Sequence, residues 1–290
     1  MRKPIYYLII FLISFFCYPQ AKKDLSLEEI FSERKFKQDW VWGLNSMNNG
    51  KEYSIIDYEK ESVSIDKYSY KSGKKIKTIL NSLEIDSLNF DDYIFNSTEN
   101  KILLKVESES IYRYSEKSFV YAYNLTTDSL IKIFEEKISL PDFSPNGKMI
   151  SYVYNNNLYI YDITTNTSKA CTKNGKKNKL IYGGTDWVYE EEFGLVKGYE
   201  WSDDSNYLAY YSFNESNVKE FSMDLFKQNL YPKQEKFKYP KAGEINSIVK
   251  IFILDIAAQK SIEVKTLKND FEYIPRIYWT PDSKNLYILK

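Results

Sequence analysis

Three consecutive glutamates, Glu190, Glu191 and Glu192, follow Asp186 and the aromatic and apolar residues Trp-Val-Tyr, and they precede Phe193. Adjacent carboxylates repel one another, and partial burial among aromatic side chains increases their need for a cation. No arginine is close in sequence, so a ligand cation is a reasonable candidate. An ammonium about 4 Å from a carboxylate gains about 4 kcal/mol at an effective dielectric constant of 20, before desolvation is subtracted. On an exposed loop the same run would be only a solvated charged stretch.

A metal ion is the rival ligand for these carboxylates. Carboxylate oxygens suit Ca²⁺, but the segment lacks the Asp/Asn-Gly loop that such sites usually use. The chain has no histidine and only two cysteines, Cys17 and Cys171. A Ser-His-Asp or Cys-His apparatus and a histidine or thiolate zinc site are therefore excluded within this sequence. We predict no metal site and no cofactor.

The composition bounds the class of protein. Lysine plus arginine total 40 and aspartate plus glutamate total 40, so there is no basic excess of the kind that drives nucleic-acid binding. Hydrophobic residues make up 43% of the 290 residues, which argues against disorder. We therefore expect a folded protein with no nucleic-acid partner.

Most of the chain has the two-residue period of antiparallel strands. Aromatic and β-branched runs such as 118–124 (SFVYAYN) and 251–255 (IFILD) are bounded by Asn, Asp, Ser and Gly turns. One short N-terminal helix is predicted over Asp24–Arg34, where Ser26 precedes two glutamates. The pattern predicts an all-β chain with less than about 15% helix, well below the usual helical fraction.

Two phrases recur along the chain. The first is an aromatic residue, a Ser or Thr, a polar turn and an apolar strand, starting at Phe143, Trp201 and Trp279, with a weaker copy at Phe95. The second is an apolar strand with a Thr- or Ala-containing turn, and it follows as the outer hairpin. The starts are 48, 58 and 78 residues apart, and about 40–50 residues per four-stranded sheet is typical of a β-propeller. We predict a partial propeller of about four to five blades; an irregular β-sandwich is the alternative.

Residues 1–21 are predicted to be a signal peptide. Arg2 and Lys3 precede an uncharged, mostly apolar run over 5–16, and Ala21 is a plausible cleavage position. The run is shorter than the about 20 residues that a membrane span needs, so no stable membrane insertion is expected. An uncleaved anchor is the alternative, and a secreted or periplasmic location follows from the prediction.

The glutamate segment and its surroundings resemble the dipeptidyl peptidase IV family of prolyl-oligopeptidase-like serine peptidases. The Asp-Trp-Val-Tyr-Glu-Glu-Glu motif is followed at the family's spacing by 201–211 (WSDDSNYLAYY) and 213–218 (FNESNV). Tyr-Pro at 231 and Tyr-Pro-Lys-Ala-Gly at 239 match the family's next segment. Upstream, 111–115 (IYRYS) is similar to the segment that holds the family's substrate-binding arginine.

The resemblance implies a fold and a site. Family members have an eight-bladed propeller and a C-terminal α/β-hydrolase domain, and they usually form homodimers. A short helix inserted in the propeller presents two glutamates, matched here by Glu191 and Glu192, that hold the free N-terminal ammonium of a peptide. Arg113 matches the arginine that reaches the substrate carbonyl and orients the carboxylates. Such a site fixes cleavage after the second residue, typically proline or alanine, and we expect Arg113 to lie near both glutamates.

The sequence departs from the family because it has no Gly-x-Ser-x-Gly nucleophile motif and no histidine. We interpret 22–290 as a truncated propeller domain without the hydrolase domain, catalytically inactive alone and prone to associate through unpaired strand edges. Two functions remain open. One is the substrate-recognition part of a secreted dipeptidyl aminopeptidase that releases X-Pro or X-Ala dipeptides from peptides with a free N-terminus. The other is a non-catalytic peptide- or glycan-binding propeller.

Overall fold

The computed structural model describes residues 24–38, 40–266 and 272–290. Two compact units are present, Met1–Val41 and Trp42–Lys290. The predicted signal peptide lies outside the described residues. Across the described part of the chain, no helix is both long enough and apolar enough to cross a membrane.

The first unit contains a short helix in its described part. A π-helical segment occupies Glu28–Ser32, within the range where the sequence predicts a helix but shorter than that range. Leu25, Leu27 and Phe31 are each at least two-thirds exposed. Helix formation is unfavourable for so short a segment when its apolar side chains gain nothing from burial, which explains the short length.

The second unit begins with three four-stranded antiparallel sheets of the same design, in which each strand pairs with the next in the chain. A 3₁₀ turn at Ser82–Glu84 follows the first sheet. The twelve strands are β1 Trp42–Ser46, β2 Glu52–Tyr58, β3 Val63–Ser69, β4 Lys75–Asn81, β5 Asp92–Phe95, β6 Lys101–Ser110, β7 Glu116–Asn124, β8 Ser129–Lys132, β9 Ser139–Phe143, β10 Met149–Tyr154, β11 Asn157–Asp162 and β12 Thr167–Ala170.

The fourth sheet departs from this design in two places. Its first position is shared by two short strands, β13 (Leu180–Tyr182) and β14 (Tyr199–Trp201), and both pair with β15 (Tyr207–Asn214). Beyond β15 it continues through two more strands, β18 Ile248–Asp255 and β19 Lys260–Glu263.

Two further pairs of strands complete the described structure. A separate hairpin, β16 (Glu220–Leu225) with β17 (Lys233–Lys238), interrupts the connection from β15 to β18. The final pair, β20 (Arg276–Trp279) with β21 (Leu286–Leu289), starts a fifth sheet.

The core lies between successive sheets. Three buried clusters lie between successive sheets. They join the first sheet to the second, the second to the third, and the third to the fourth. A fourth cluster packs β15 and β18 against β20. The second, third and fourth sheets therefore each bury both faces against their neighbours, as the blades of a propeller do.

The recurring sequence phrase has a hydrogen-bonding cause. The hydroxyl oxygens of Ser144, Ser202 and Thr280 accept the backbone N–H five residues later, at 2.9–3.0 Å. In the weaker copy the Asn96 side chain takes this role and accepts the Lys101 N–H at 2.8 Å. The phrase is therefore the turn from the first to the second strand in the second to fifth blades.

The predicted architecture is confirmed. Strand makes up 47% and helix 6% of the described structure, which has six sheets and is not closed. Three complete blades, a fourth with insertions and the start of a fifth correspond to the predicted four to five. The predicted outer hairpins are β7–β8, β11–β12 and β18–β19.

Candidate functional site

The glutamate segment leaves the fourth blade through a junction of three glycines, Gly183, Gly184 and Gly198. Gly198 N–H donates to Gly183 O at 2.9 Å, and the backbone of Tyr211 on β15 bonds to Gly183 and to Gly198. A Cβ on Gly198 would lie 2.4 Å from Gly184 O. Only glycine allows the outgoing and returning chains to approach this closely.

The segment between these glycines forms the helix α1, Trp187–Phe193. The Asp186 side chain caps its N-terminus by accepting the Tyr189 N–H at 3.0 Å, and Ser247 Oγ donates to the other Asp186 oxygen at 2.6 Å. Gly194 ends the helix in the left-handed conformation, with φ of 59°. Capping by Asp and termination by Gly are what allow so short a helix to have defined ends.

Two contacts with the fifth blade fix α1 in place. Tyr189 is 1% exposed, and its hydroxyl accepts the backbone N–H of Ile274 at 2.8 Å. Arg276 donates from Nη2 to the carbonyl oxygen of Phe193 at 2.6 Å. The helix is thus attached near both of its ends to the segment that begins the next blade.

We expect Tyr189→Phe to reduce the free energy of unfolding by about 2 kcal/mol, because the buried Ile274 N–H loses its acceptor while the ring is kept. Urea unfolding of both proteins measures the change. Tyr287→Phe is the control, since Tyr287 is 65% exposed and its substitution should be nearly neutral. Equal stability of Tyr189→Phe and the parent chain would contradict the attachment.

The three glutamates of α1 point to different surroundings, because successive helical residues are about 100° apart. Glu190 is 1% exposed and accepts the N–H groups of Tyr114 and Ser115 at 2.7 and 2.9 Å. Glu191 Oε2 lies 3.1 Å from Arg113 Nε, with its side chain 15% exposed. Glu192 is exposed and forms no salt bridge with the described residues.

The expected approach of Arg113 is therefore found for Glu191 and not for Glu192. Arg113 lies in the turn between β6 and β7, and its side chain is 67% exposed. One glutamate already has a cation, and the other offers a solvent-facing carboxylate. The side chains of Arg113, Glu191 and Glu192 together carry a net charge of −1.

An aromatic cluster connects α1 to the β16–β17 hairpin. Trp187 at the start of the helix lies with its ring centroid 4.6 Å from Tyr239 and 6.2 Å from Phe237. Tyr112, next to Arg113, contacts the same Phe237 at 6.2 Å. The helix and the arginine turn therefore rest on a common aromatic surface.

A cavity of about 930 Å³ is lined by the β6–β7 turn, the β10–β11 turn and the segment around α1. Its walls include Tyr112, Asp186, Glu190 and Glu215. Burial and then the Asp186 carboxylate raise the pKa of Glu215 to about 7, although Lys238 opposes the rise. Burial raises the pKa of Tyr112 to about 12, with a smaller contribution from Glu215.

Metal ligation receives no support from the arrangement of side chains. Within residues 24–38, 40–266 and 272–290, no group of three or more Cys, Asp and Glu side chains is placed to hold a metal ion. The carboxylates of α1 diverge toward a backbone turn, an arginine and solvent.

Comparison with known proteins identifies the family. The profile of the dipeptidyl peptidase IV (DPP IV) N-terminal region matches residues 96–289, which include Arg113 and all of α1. The chain belongs to the dipeptidyl peptidase IV family. The match confirms the resemblance seen in the sequence and places the candidate site inside the family's N-terminal region.

Individual proteins of the dipeptidyl peptidase IV family are similar to this chain. Human prolyl endopeptidase FAP is 30% identical over 236 residues, covering 80% of this chain and 30% of that protein. Dipeptidyl peptidase 4 of Bos taurus is 30% identical over 242 residues, covering 73% of this chain and 31% of that protein. The crystal structure of Porphyromonas gingivalis dipeptidyl peptidase 4 superposes with a TM-score of 0.83 at 34% identity, covering 92% of this chain and 38% of that one. The chain thus spans about 30% of the length of the curated relatives it matches.

Sequence reasoning missed Glu190 and Glu215 as functional candidates. The run of three glutamates held a usable signal for Glu190, because a helix cannot direct three adjacent side chains to one ligand. Glu215 stands in the Phe-x-Glu motif, but its position in the cavity wall depends on how the blades pack. No local pattern distinguishes it from an exposed glutamate.

Proposed function

We propose that this chain is the substrate-recognition propeller of a secreted dipeptidyl aminopeptidase that releases X-Pro or X-Ala dipeptides. Glu191 and Glu192 hold the N-terminal ammonium of a peptide, and Arg113 orients the pair. The observation that carries the proposal is the exposed Glu192 next to a Glu191 that is already paired with Arg113. The family membership and the names of the relatives support it.

The charge of the site suits this ligand. A peptide amine has a pKa of about 8 and is therefore cationic at neutral pH. Its three N–H donors can reach both carboxylates, and its single charge neutralises the net −1 of Arg113, Glu191 and Glu192. Fixing one end of the peptide then sets the distance from that end to the bond that is cleaved, which is how a binding site makes an exopeptidase.

The double substitution Glu191→Gln with Glu192→Gln tests this proposal. Isothermal titration with Gly-Pro-amide should show an affinity at least about tenfold lower than that of the parent chain, because two charge-assisted hydrogen bonds become neutral ones. Glu59→Gln with Glu61→Gln is the matched control, an exposed pair in the β2–β3 turn outside the cavity, and it should bind like the parent. Unchanged affinity in the Glu191 and Glu192 variant would overturn the assignment.

A further inference from the structure

Glu190 differs from its two neighbours in what it contacts. Its carboxylate is almost fully buried, so it offers no open face to a peptide amine. One oxygen, Oε1, accepts two backbone N–H groups, from Tyr114 at 2.7 Å and Ser115 at 2.9 Å. These donors lie about 75 positions earlier in the chain, on another blade.

The two amides belong to the turn that carries Arg113. Inside this turn, Ile111 N–H donates to Ser115 O at 2.7 Å, and Tyr112 N–H donates to Ser115 Oγ at 3.2 Å. Arg113 stands between these bonds with most of its side chain in solvent. The position of its Cα and the direction of its Cβ are therefore set by the backbone of the turn.

We propose that Glu190 is a positioning residue that fixes the 111–115 turn and thereby sets Arg113 against Glu191. This deepens the proposed function, on which it rests. Two adjacent carboxylates of α1 hold one turn in two ways: Glu190 binds its main chain, and Glu191 binds its arginine side chain. The third carboxylate, Glu192, makes neither contact and stays open to the ligand beside Glu191.

Amide hydrogen exchange in the full chain tests the contact without any ligand. In Glu190→Ala the amides of Tyr114 and Ser115 should exchange at least about tenfold faster, because both lose a charged acceptor. In Glu190→Gln the rates should rise clearly less than in Glu190→Ala, since the neutral amide oxygen still accepts both N–H groups. Glu61→Ala, at an exposed position of the β2–β3 turn, is the control and should leave both amides protected. Unchanged exchange in Glu190→Ala would overturn the proposal.

If Glu190→Ala does not fold, Glu190→Asp replaces it. Aspartate keeps the charge but is one methylene shorter, so it cannot reach both amides, and exchange at Tyr114 and Ser115 should again rise at least about tenfold. Parent-like exchange in Glu190→Asp would overturn the proposal.

Titration with Gly-Pro-amide separates this inference from the proposed function. Arg113→Ala should weaken binding in the parent chain and have no further effect in Glu190→Ala, because the arginine is already displaced. Suppose that the parent chain binds the free amine and that the losses of binding free energy from Arg113→Ala and Glu190→Ala add. That result would contradict the positioning role of Glu190 and leave the proposed function standing. A parent chain that does not distinguish the free from the acetylated amine would contradict the proposed function, while the exchange rates still decide the role of Glu190.

Discussion

We expect Gly198→Ala to lower the free energy of unfolding by about 3 kcal/mol or more. A Cβ at this buried position would lie 2.4 Å from Gly184 O and 3.2 Å from the carbonyl carbon of Gly183. Both obstacles are backbone atoms, so no side chain can rotate away. Relief of the clash requires the strands that carry α1 to separate, which breaks the bonds to Tyr211.

Urea unfolding followed by tryptophan fluorescence measures this effect. Gly73→Ala is the matched control, because Gly73 has φ of +63° but no atom within 4 Å of its added Cβ. That substitution should cost only about 1 kcal/mol, from backbone strain. A Gly198→Ala chain no less stable than Gly73→Ala would mean that the chain does not leave the blade through this glycine junction.

The second large effect concerns Glu215 and pH. Glu215 is 6% exposed, and its pKa of about 7 lies above the ordinary value of 4.5 for a glutamate. Between these values the folded chain binds the proton more tightly than the unfolded chain does, so stability falls as pH rises from 4.5 to 7. Above pH 7 the buried, ionised Glu215 lowers the free energy of unfolding by about 3 kcal/mol, at 1.4 kcal/mol per pKa unit.

Glu215→Gln should remove this penalty because it cannot ionise. At pH 8 the variant should be more stable than the parent by up to about 3 kcal/mol, and at pH 4 the two should be similar. Urea titrations of both proteins across this range give the difference, which cancels the contributions of acids that do not interact with Glu215. A difference that is independent of pH would show that Glu215 titrates normally in the folded chain.

The blade architecture could be predicted from sequence because its signals are local. In the second to fifth blades, the turn between the first two strands needs a hydroxyl or amide side chain five residues before the N–H that it binds. This is why a residue of that type recurs with its flanking strands, as Asn96, Ser144, Ser202 and Thr280. Alternating aromatic and polar residues define the strands, and the surplus length between repeats indicates the insertions. The short helix in the fourth blade is expected only from the family resemblance, and the structure shows that Asp186 and Gly194 cap its ends.

The internal arrangement of the site could not be predicted in the same way. The resemblance groups Glu191, Glu192 and Arg113, but it does not show that Glu191 pairs with Arg113 while Glu192 faces solvent. That division depends on the rotation of α1, which is fixed by Tyr189 and Arg276 through contacts with the fifth blade. The roles of Glu190 and Glu215 arise from packing between blades, which leaves no periodic trace in the sequence.

The central claim is that the carboxylates of α1 recognise a free peptide amine. The most direct test is the affinity of the parent chain at pH 7 for Gly-Pro-amide and for N-acetyl-Gly-Pro-amide, measured by isothermal titration. Acetylation removes the positive charge and two donors while leaving the rest of the ligand unchanged. We predict at least about tenfold tighter binding of the free amine, the effect of losing a charge-assisted hydrogen bond. Equal affinity for the two peptides would contradict the account and favour a binding module that does not read the N-terminus.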